Sequence, residues 1–317
     1  MEAPPLPSVT ALGALEQRMG TQTVERRLGR ERYLWVVKHR PPGPILAPFG
    51  DKDGLFLSLL KIAGLARRAR REYLDVRLVT NEIFLRRLPK AFDGFRLLQL
   101  TDLHCDLDPA LIPATIRALQ GVSWDLAILT GDFHNHIAGD HTPSLRLMED
   151  LLIHLPGPRV AIMGNHDFLA RAAEFEERSL QVLLNENLPL ERNGERLWLC
   201  GCDDPRFFRT HDLARSRSGV PDDECAILLA HSPQVWKEAA ALGFDLMISG
   251  HTHGGQICLP GGFPIVRNAP IPTRLIAGHW CEGSLQGYTS RGTGACGVPA
   301  RLFCPAEITL HILRKAG

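Results

Sequence analysis

Five short apolar segments, each followed at once by polar residues, constrain the fold of this chain more than any other feature. They are residues 95–100, 126–129, 160–163, 226–230 and 244–248. Segments of this length that are apolar on both faces predict strands buried inside a layered α/β fold. Ligands of such folds tend to bind beyond the carboxyl ends of the strands. We therefore expect the polar residues that follow the five segments to meet at one site.

Those polar residues are carboxylates, an amide and imidazoles, all of which bind metal ions. Asp102 and His104 stand two residues apart, a spacing that lets both side chains leave a strand on one side. Asp132 offers a carboxylate that could bridge two ions, and Gly131 before it allows close backbone approach. Each motif alone is equally consistent with an ordinary turn. The candidate metal ligands are Asp102, His104, Asp132, Asn165, His231, His251 and His253.

The tetrapeptide at residues 164–167 adds candidate catalytic groups. Asn165 supplies a neutral carbonyl oxygen, a suitable ligand for a hard or borderline cation. We expect His166 to meet the phosphoryl oxygen or the leaving group, and Asp167 to accept from its other ring nitrogen and fix the tautomer. Alone, this segment would be read as a turn with a capping Asp.

Three further histidines follow Asp132 in the sequence, namely His134, His136 and His141. We expect them to be solvated loop residues rather than ligands. The alternative is a role in shaping the mouth of the site.

The order of these motifs resembles the calcineurin-like metallophosphoesterase family over residues 95 to 310. The resemblance implies an α/β fold, a four-layer α/β/β/α sandwich of two mixed sheets. It also implies two divalent cations, Mn²⁺ first, with Fe or Zn²⁺ as alternatives. The first would be held by Asp102, His104, Asp132 and His253. The second would be held by Asp132, Asn165, His231 and His251. By the same resemblance, His166, paired with Asp167, is the catalytic imidazole.

Three stretches narrow the resemblance: residues 250–256, 288–294 and 301–308. They are similar to a bacterial branch of small phosphodiesterases and UDP-diacylglucosamine pyrophosphatases. The expected reaction is hydrolysis of a phosphodiester or pyrophosphate bond in a phosphorylated small molecule or lipid. Arg291 and Arg301 could bind phosphate through planar guanidinium groups, or could form structural ion pairs. Alternatives are a phosphomonoesterase, including a protein phosphatase, and a non-catalytic scaffold of the same fold.

Residues 1–90 carry no catalytic motif and read as an N-terminal extension to a catalytic domain at 91–317. Pro41, Pro42, Gly43, Pro44 and Pro48 predict a loop or linker. Residues 55–71 have apolar residues at helical spacing and end in four arginines, Arg67, Arg68, Arg70 and Arg71. This pattern predicts a helix packed on the domain, with basic residues near its carboxyl end. The alternative is an interfacial helix that touches anionic lipid.

Composition limits partners and location. A formal net charge of +1 gives no global basic field for nucleic acid, and no obligate protein partner is implied. The eight cysteines lack the spacing of a small disulfide-bonded domain or a zinc knuckle, so we expect reduced, mostly buried thiols. Neither a secretory signal nor a membrane-spanning stretch is recognisable. We expect a cytoplasmic protein, on the inner face of the membrane if residues 55–71 bind lipid.

Overall fold

The five apolar segments all form strands in the computed structural model, which describes residues 6–39, 52–137 and 140–317. The loop predicted at Pro41, Pro42, Gly43, Pro44 and Pro48 lies outside these residues. The helices are α1 Val9–Met19, α2 Thr21–His39, α3 Lys52–Ile62, α4 Ala66–Leu74, α5 Leu111–Leu119, α6 Thr142–Ile153, α7 Ala170–Glu176, α8 Leu213–Arg217 and α9 Trp236–Ala241. The strands are β1 Arg77–Leu85, β2 Arg96–Leu100, β3 Leu126–Leu129, β4 Arg159–Ala161, β5 Gln181–Val182, β6 Glu186–Arg192, β7 Glu195–Gly201, β8 Ala226–Leu229, β9 Leu246–Ser249, β10 Cys258–Leu259, β11 Phe263–Pro264, β12 Gly278–Glu282, β13 Leu285–Thr289 and β14 Glu307–Lys315.

Most of the strands belong to two six-stranded mixed sheets. The first sheet has the order β1-β14-β2-β3-β4-β5, and the second has the order β12-β13-β9-β8-β7-β6. In the first sheet β2, β3, β4 and β5 run parallel, and β14 runs antiparallel to β2. In the second sheet β7, β8, β9 and β13 run parallel. The parallel strands of each sheet therefore end at a common edge.

Alternating side chains of these strands fill three apolar layers. Leu97 and Ile128 of the first sheet pack with Leu199 and Ile227 of the second, which forms the core between the sheets. Side chains on the outer face of the first sheet pack against α5, α6 and α7, and those of the second pack with residues of α8 and α9. Both faces of each central strand are buried, as their continuous apolar sequences predicted. The predicted α/β sandwich of two mixed sheets is confirmed.

The N-terminal extension contributes to this same fold. Strand β1 pairs in parallel with β14 at the edge of the first sheet, although the sequence division at residue 90 places β1 in the extension. Leu15 and Met19 of α1 and Val24 of α2 join the core outside the first sheet. The chain before residue 91 therefore contributes both a strand and apolar side chains to the sandwich.

The helix expected over residues 55–71 is instead two helices, α3 and α4. The break lies at Gly64, whose φ of +71° places it in the left-handed region that favours glycine. Both helices pack on the domain, because Leu60 and Ala69 share an apolar cluster with Val298 and Leu302. No helix within the described ranges has the length and apolar composition needed to cross a bilayer.

The cysteines are as predicted. All eight fall within the described ranges and are free thiols, and six of them are buried.

Candidate metal centre

The seven predicted metal ligands all follow strands that end at the same edge of the sandwich. Asp102 and His104 follow β2, Asp132 follows β3, and Asn165 lies in the loop after β4. From the second sheet, His231 follows β8, and both His251 and His253 follow β9. This shared edge brings together residues far apart in sequence. The seven side chains are buried.

One cluster comprises Asp102, His104 and His253, whose ligand atoms lie within 4.8 Å of one another. His253 Nε2 is 3.3 Å from Asp102 Oδ1 and 3.3 Å from His104 Nε2. The Nδ1 of His104 lies 2.8 Å from the carbonyl oxygen of His134, which can only accept. That contact places the proton on Nδ1 and leaves the Nε2 lone pair directed at the cluster.

A second cluster comprises Asp132, His231 and His251, with ligand atoms again within 4.8 Å. His231 donates from Nδ1 to the carbonyl oxygen of Thr130 at 2.7 Å, which turns its Nε2 towards Asp132. Burial lowers the pKa of His231 and the Asp132 carboxylate raises it, with a net rise to about 10, and a cation beside Asp132 would take the place of this proton. Asp132 Oδ2 lies 3.2 Å from His231 Nε2 and 3.6 Å from His104 Nε2. One carboxylate oxygen therefore stands between the two clusters.

The hydrogen bonding of the ligand atoms shows whether these side chains fit metal ions. Three buried ligand atoms have no hydrogen-bond partner: Asn165 Oδ1, His231 Nε2 and His251 Nε2. Buried polar atoms are normally paired, so a set of unpaired acceptors around a carboxylate fits bound cations. Burial is also the main cause that lowers the pKa of His104 to about 4 and that of His251 to about 3. Both imidazoles are therefore neutral, which is the ligating form.

The backbone at these ligands is strained. Asp102, His104, Asp132, His251 and His253 all have positive φ, between 42° and 68°. Residues other than glycine adopt this region at a cost, and such strain is concentrated at functional sites.

Glycines next to the ligands allow the loops that carry the ligands to pack closely against one another. A Cβ on Gly164 would overlap the Asp132 carboxylate, and one on Gly250 would overlap Asp102. Any larger residue at either position would displace a carboxylate of the site.

The role predicted for Asp167 is wrong. Its carboxylate does not contact the His166 ring but accepts the backbone N–H groups of Asp132 and Gly164, each at 2.7 Å, and of Phe133 at 2.9 Å. Asp167 therefore fixes the loops that carry two predicted ligands. The His166 ring is oriented instead by the Asn135 carbonyl, which lies 2.7 Å from Nδ1.

The expectation that the neighbouring histidines are solvated is wrong for two of the three. His134 and His141 are buried and stack on each other with ring centroids 4.3 Å apart. His134 Nδ1 lies 3.1 Å from Ser144 Oγ of α6, and His141 Nε2 lies 3.0 Å from the His136 carbonyl. His136 itself is exposed and lines the cleft described below.

Arg291 and Arg301 are both engaged by protein groups, and Arg291 forms the ion pair of the structural alternative. Arg291 contacts the buried Glu307 carboxylate at 2.6 Å. Arg301 is fully buried and donates to the carbonyl oxygens of Gly294 and Arg291 at 2.7 and 2.6 Å. Neither arginine lines the cleft beside the clusters.

A cleft of about 770 Å³ opens onto the two clusters. Asp132, Asn165, His166, His251 and His253 line its floor. Residues that sequence reasoning did not single out form the walls, among them Phe56, Asn135, Arg206, Phe207, Ile257 and Cys296. No motif marks these wall residues, because tertiary packing alone brings them to the cleft. Their arrangement leaves room for a substrate considerably larger than one phosphate group.

Comparison with known proteins assigns the class. The family model described as calcineurin-like phosphoesterase matches residues 95–255, which contain every predicted metal ligand. The chain belongs to this family, and its fold and buried Asp and His clusters are those of a metallophosphoesterase hydrolase.

Three relatives are each 28% identical to this chain over the aligned residues. The bovine "Transmembrane protein with metallophosphoesterase domain" is 28% identical over 82% of this chain, which spans 61% of that protein's length. The "Uncharacterized metallophosphoesterase YkuE" of Bacillus subtilis is 28% identical, covering 72% of this chain and 82% of its own. "Phosphodiesterase YaeI" of Escherichia coli is 28% identical, covering 68% and 81% respectively.

Among solved structures, the sulfate thiohydrolase SoxB of Thermus thermophilus aligns with a TM-score of 0.42 and 13% identity. The alignment covers 72% of this chain and 57% of that structure.

Proposed function

We propose that this chain hydrolyses phosphodiester or pyrophosphate bonds at a two-metal centre. One metal would be held by Asp102, His104, Asp132 and His253, and the other by Asp132, Asn165, His231 and His251. The observation that carries the proposal is that three buried ligand atoms have no hydrogen-bond partner, while the Asp132 carboxylate lies between both clusters. Mn²⁺ is our first choice, with Fe or Zn²⁺ as alternatives, because mixed nitrogen and oxygen donors suit all three.

When bound, such a pair of cations supplies Lewis acidity towards phosphoryl oxygens and a nucleophilic water at neutral pH. Residues of the chain position the substrate and donate a proton to it. His166 donates from Nδ1 to the Asn135 carbonyl, and its Nε2 lies at the cleft, 3.8 Å from the Cys296 sulfur. Burial lowers the pKa of His166 and the Asp132 carboxylate raises it, with a net rise to about 10. A protonated His166 would donate from Nε2 to a phosphoryl oxygen or to the leaving group.

The walls of the cleft support a substrate with an apolar part, such as a lipid-linked nucleotide of the UDP-diacylglucosamine type. Phe56, Ile257, Ile265 and Val266 line the cleft beside the polar floor. The similarity to YaeI, which is named a phosphodiesterase, supports phosphodiesters over phosphomonoesters as substrates. A phosphomonoesterase, including a protein phosphatase, is the competing function.

The test is a metal-dependent activity screen with His166→Ala. Purified Mn-loaded protein is assayed on bis-p-nitrophenyl phosphate, p-nitrophenyl phosphate and UDP-diacylglucosamine. We expect diester or pyrophosphate cleavage to exceed monoester cleavage. His166→Ala should keep its metals, measured by mass spectrometry, and lose about 10²- to 10⁴-fold in kcat. The control is His154→Ala at an exposed histidine. Metal-loaded wild type inert on all three substrates would refute the proposal, and a monoester preference would favour the phosphatase.

We further propose that the protein binds the inner face of the membrane through residues 55–71. Leu59 and Ile62 of α3 are exposed, and so is Phe263 in the β10–β11 hairpin that follows the cleft residue Ile257. Of the four arginines, only Arg67 and Arg71 are exposed. Arg68 pairs with Glu72 at 2.7 Å, and Arg70 pairs with Asp108. Two arginines are thus left for anionic lipid.

Vesicle sedimentation tests this contact. Wild type should sediment with vesicles that contain anionic phospholipid and not with neutral vesicles. Changing Arg67 and Arg71 to Gln together with Ile62→Ser should abolish sedimentation, whereas Arg215→Gln, exposed at α8, should not. Equal sedimentation of all variants would contradict the contact.

A further inference from the structure

Arg206 stands on a rigid loop between β7 and α8. The Asp204 carboxylate accepts the backbone N–H groups of Arg206 at 2.8 Å, Phe207 at 2.6 Å and Phe208 at 2.7 Å. From behind, the guanidinium of Arg27 in α2 lies 3.4 Å from the centroid of the Phe208 ring. Several hydrogen bonds and a stacked cation hold this loop, so the backbone of Arg206 has a fixed position at the cleft wall.

Within the described residues the Arg206 guanidinium has no carboxylate partner, and its recorded contact is with the ring of the neighbouring Phe207, 5.9 Å from the centroid. It forms no salt bridge, and its Nε is buried without a hydrogen-bond partner. Other arginines near the site differ, because Arg291 is paired with Glu307 and Arg27 with Asp203. A partly buried guanidinium without a counter-charge is costly, and a bound anion offsets that cost. Arg206 lines the same cleft as Asn165 and His251, so its anion would belong to the substrate.

The net charge of the candidate metal centre indicates which anion Arg206 binds. Two divalent cations with the carboxylates of Asp102 and Asp132 keep a net positive charge, which a hydroxide and one singly charged phosphodiester balance. The charge of a protonated His166 offsets the charge that develops on the leaving group, and Arg206 adds one positive charge beyond that balance. We propose that Arg206 binds a second, non-scissile phosphoryl group, and that the preferred substrates are pyrophosphate diesters rather than simple phosphodiesters. This inference rests on the proposed function and names the substrate class within it. The planar guanidinium suits such a group, because it donates two parallel hydrogen bonds to phosphate oxygens.

The first measurement compares kcat/KM on two substrates, UDP-glucose with a pyrophosphate diester and bis-p-nitrophenyl phosphate with a single phosphoryl group. In Arg206→Gln, the ratio of the two kcat/KM values should fall about 10- to 100-fold, the worth of a hydrogen-bonded charge. Arg206→Lys should fall between Gln and wild type, because it keeps the charge but not the planar geometry. The matched control is Arg209→Gln, an exposed arginine of the same loop that does not line the cleft, and its ratio should match that of wild type.

The second measurement is binding without turnover, using methylenediphosphonate and methylphosphonate in calorimetric titrations of the metal-loaded protein. Arg206→Gln should weaken binding of the diphosphonate about 10- to 100-fold more than binding of the monophosphonate. Equal losses on both ligands and both substrates would overturn the inference in favour of contact with the scissile group. No loss on either would exclude contact with the substrate. If the wild type hydrolyses neither these substrates nor UDP-diacylglucosamine, the proposed function fails, while the diphosphonate titration still decides the role of Arg206.

Discussion

Two buried charged clusters lie close to one another in this molecule and differ in how their charge is balanced. The metal centre contains the carboxylates of Asp102 and Asp132, and within the described ranges neither forms a salt bridge with a lysine or an arginine. The second cluster, which we call the α2 clamp, consists of Arg27, Glu31 and Asp203. In the α2 clamp, Arg27 Nε lies 3.2 Å from Asp203 and 3.5 Å from Glu31, so the acids have a cation of the chain's own.

The difference separates a binding site from a support. The carboxylates of the metal centre need a cation from outside the chain, whereas the acids of the α2 clamp already have Arg27 as a counter-ion. The α2 clamp also holds the loop of the metal centre. Arg27 donates to the Asp167 carbonyl at 2.7 Å, and Glu31 accepts the backbone N–H of Leu169 at 2.7 Å. The N-terminal extension, which carries no catalytic motif, thereby supports the loop next to His166.

The largest expected effect of a single substitution is that of Asp132→Ala, which removes the carboxylate between the two clusters. The variant should lose bound metal and lose kcat/KM by more than the roughly 10- to 100-fold typical of residues that only support a ligand. Metal content by mass spectrometry and kcat/KM on the preferred substrate provide the measurement. Full metal occupancy in folded Asp132→Ala would contradict the bridging position.

Arg27→Met should instead lower the free energy of unfolding. Removing the cation leaves Glu31 and Asp203 buried without compensation, which costs about 3–5 kcal/mol of unfolding free energy. Urea unfolding of the metal-loaded protein measures this, with Arg26→Met at the exposed neighbour as the control. Adding Glu31→Gln and Asp203→Asn to Arg27→Met should recover part of the loss, because the triple variant has no buried charge. A triple variant less stable than Arg27→Met would show that the α2 clamp is not an independent charge balance.

The sequence indicates which residues meet at the candidate metal centre, because each of them lies next to the apolar segment that positions it. Each ligand follows an apolar run, and the carboxyl ends of parallel strands meet at one edge of a sheet. The expectation that Asp132 bridges two ions came from the resemblance to the calcineurin-like metallophosphoesterase family. Roles that depend on which loop packs on which could not be predicted this way. Asp167 immediately follows His166, which suggested a ring contact, but its carboxylate reaches back to backbone groups of another loop.

The prediction that loop histidines are solvated failed for the same reason, because it depends on which loops pack together. His134 and His141 lie among polar loop residues, yet both are buried, and Phe168 from a different part of the chain packs on the His141 ring. The Arg27 contact with Asp167 spans 140 residues, and nothing in the sequence around Arg27 distinguishes it from the other arginines of α2. Local periodicity does not encode such long-range contacts, so only the packed structure reveals the α2 clamp.

The smallest expected effect is a pH dependence that belongs to the α2 clamp alone. Burial raises the pKa of Glu31 to about 7, against the opposing charge of Arg27. Because the folded state holds this proton more tightly than the unfolded state, Glu31 contributes stability below its ordinary pKa of 4.5, and this is lost as the pH rises to about 7. The loss amounts to about 3 kcal/mol. Glu31→Gln keeps an acceptor for Leu169 and removes the titration. Its Tm relative to wild type should therefore rise by a few degrees between pH 5 and pH 8, while Glu25→Gln, exposed on the same helix, should run parallel to wild type. Parallel curves for Glu31→Gln as well would mean that Glu31 stays ionised, with Arg27 as a sufficient counter-ion for both acids.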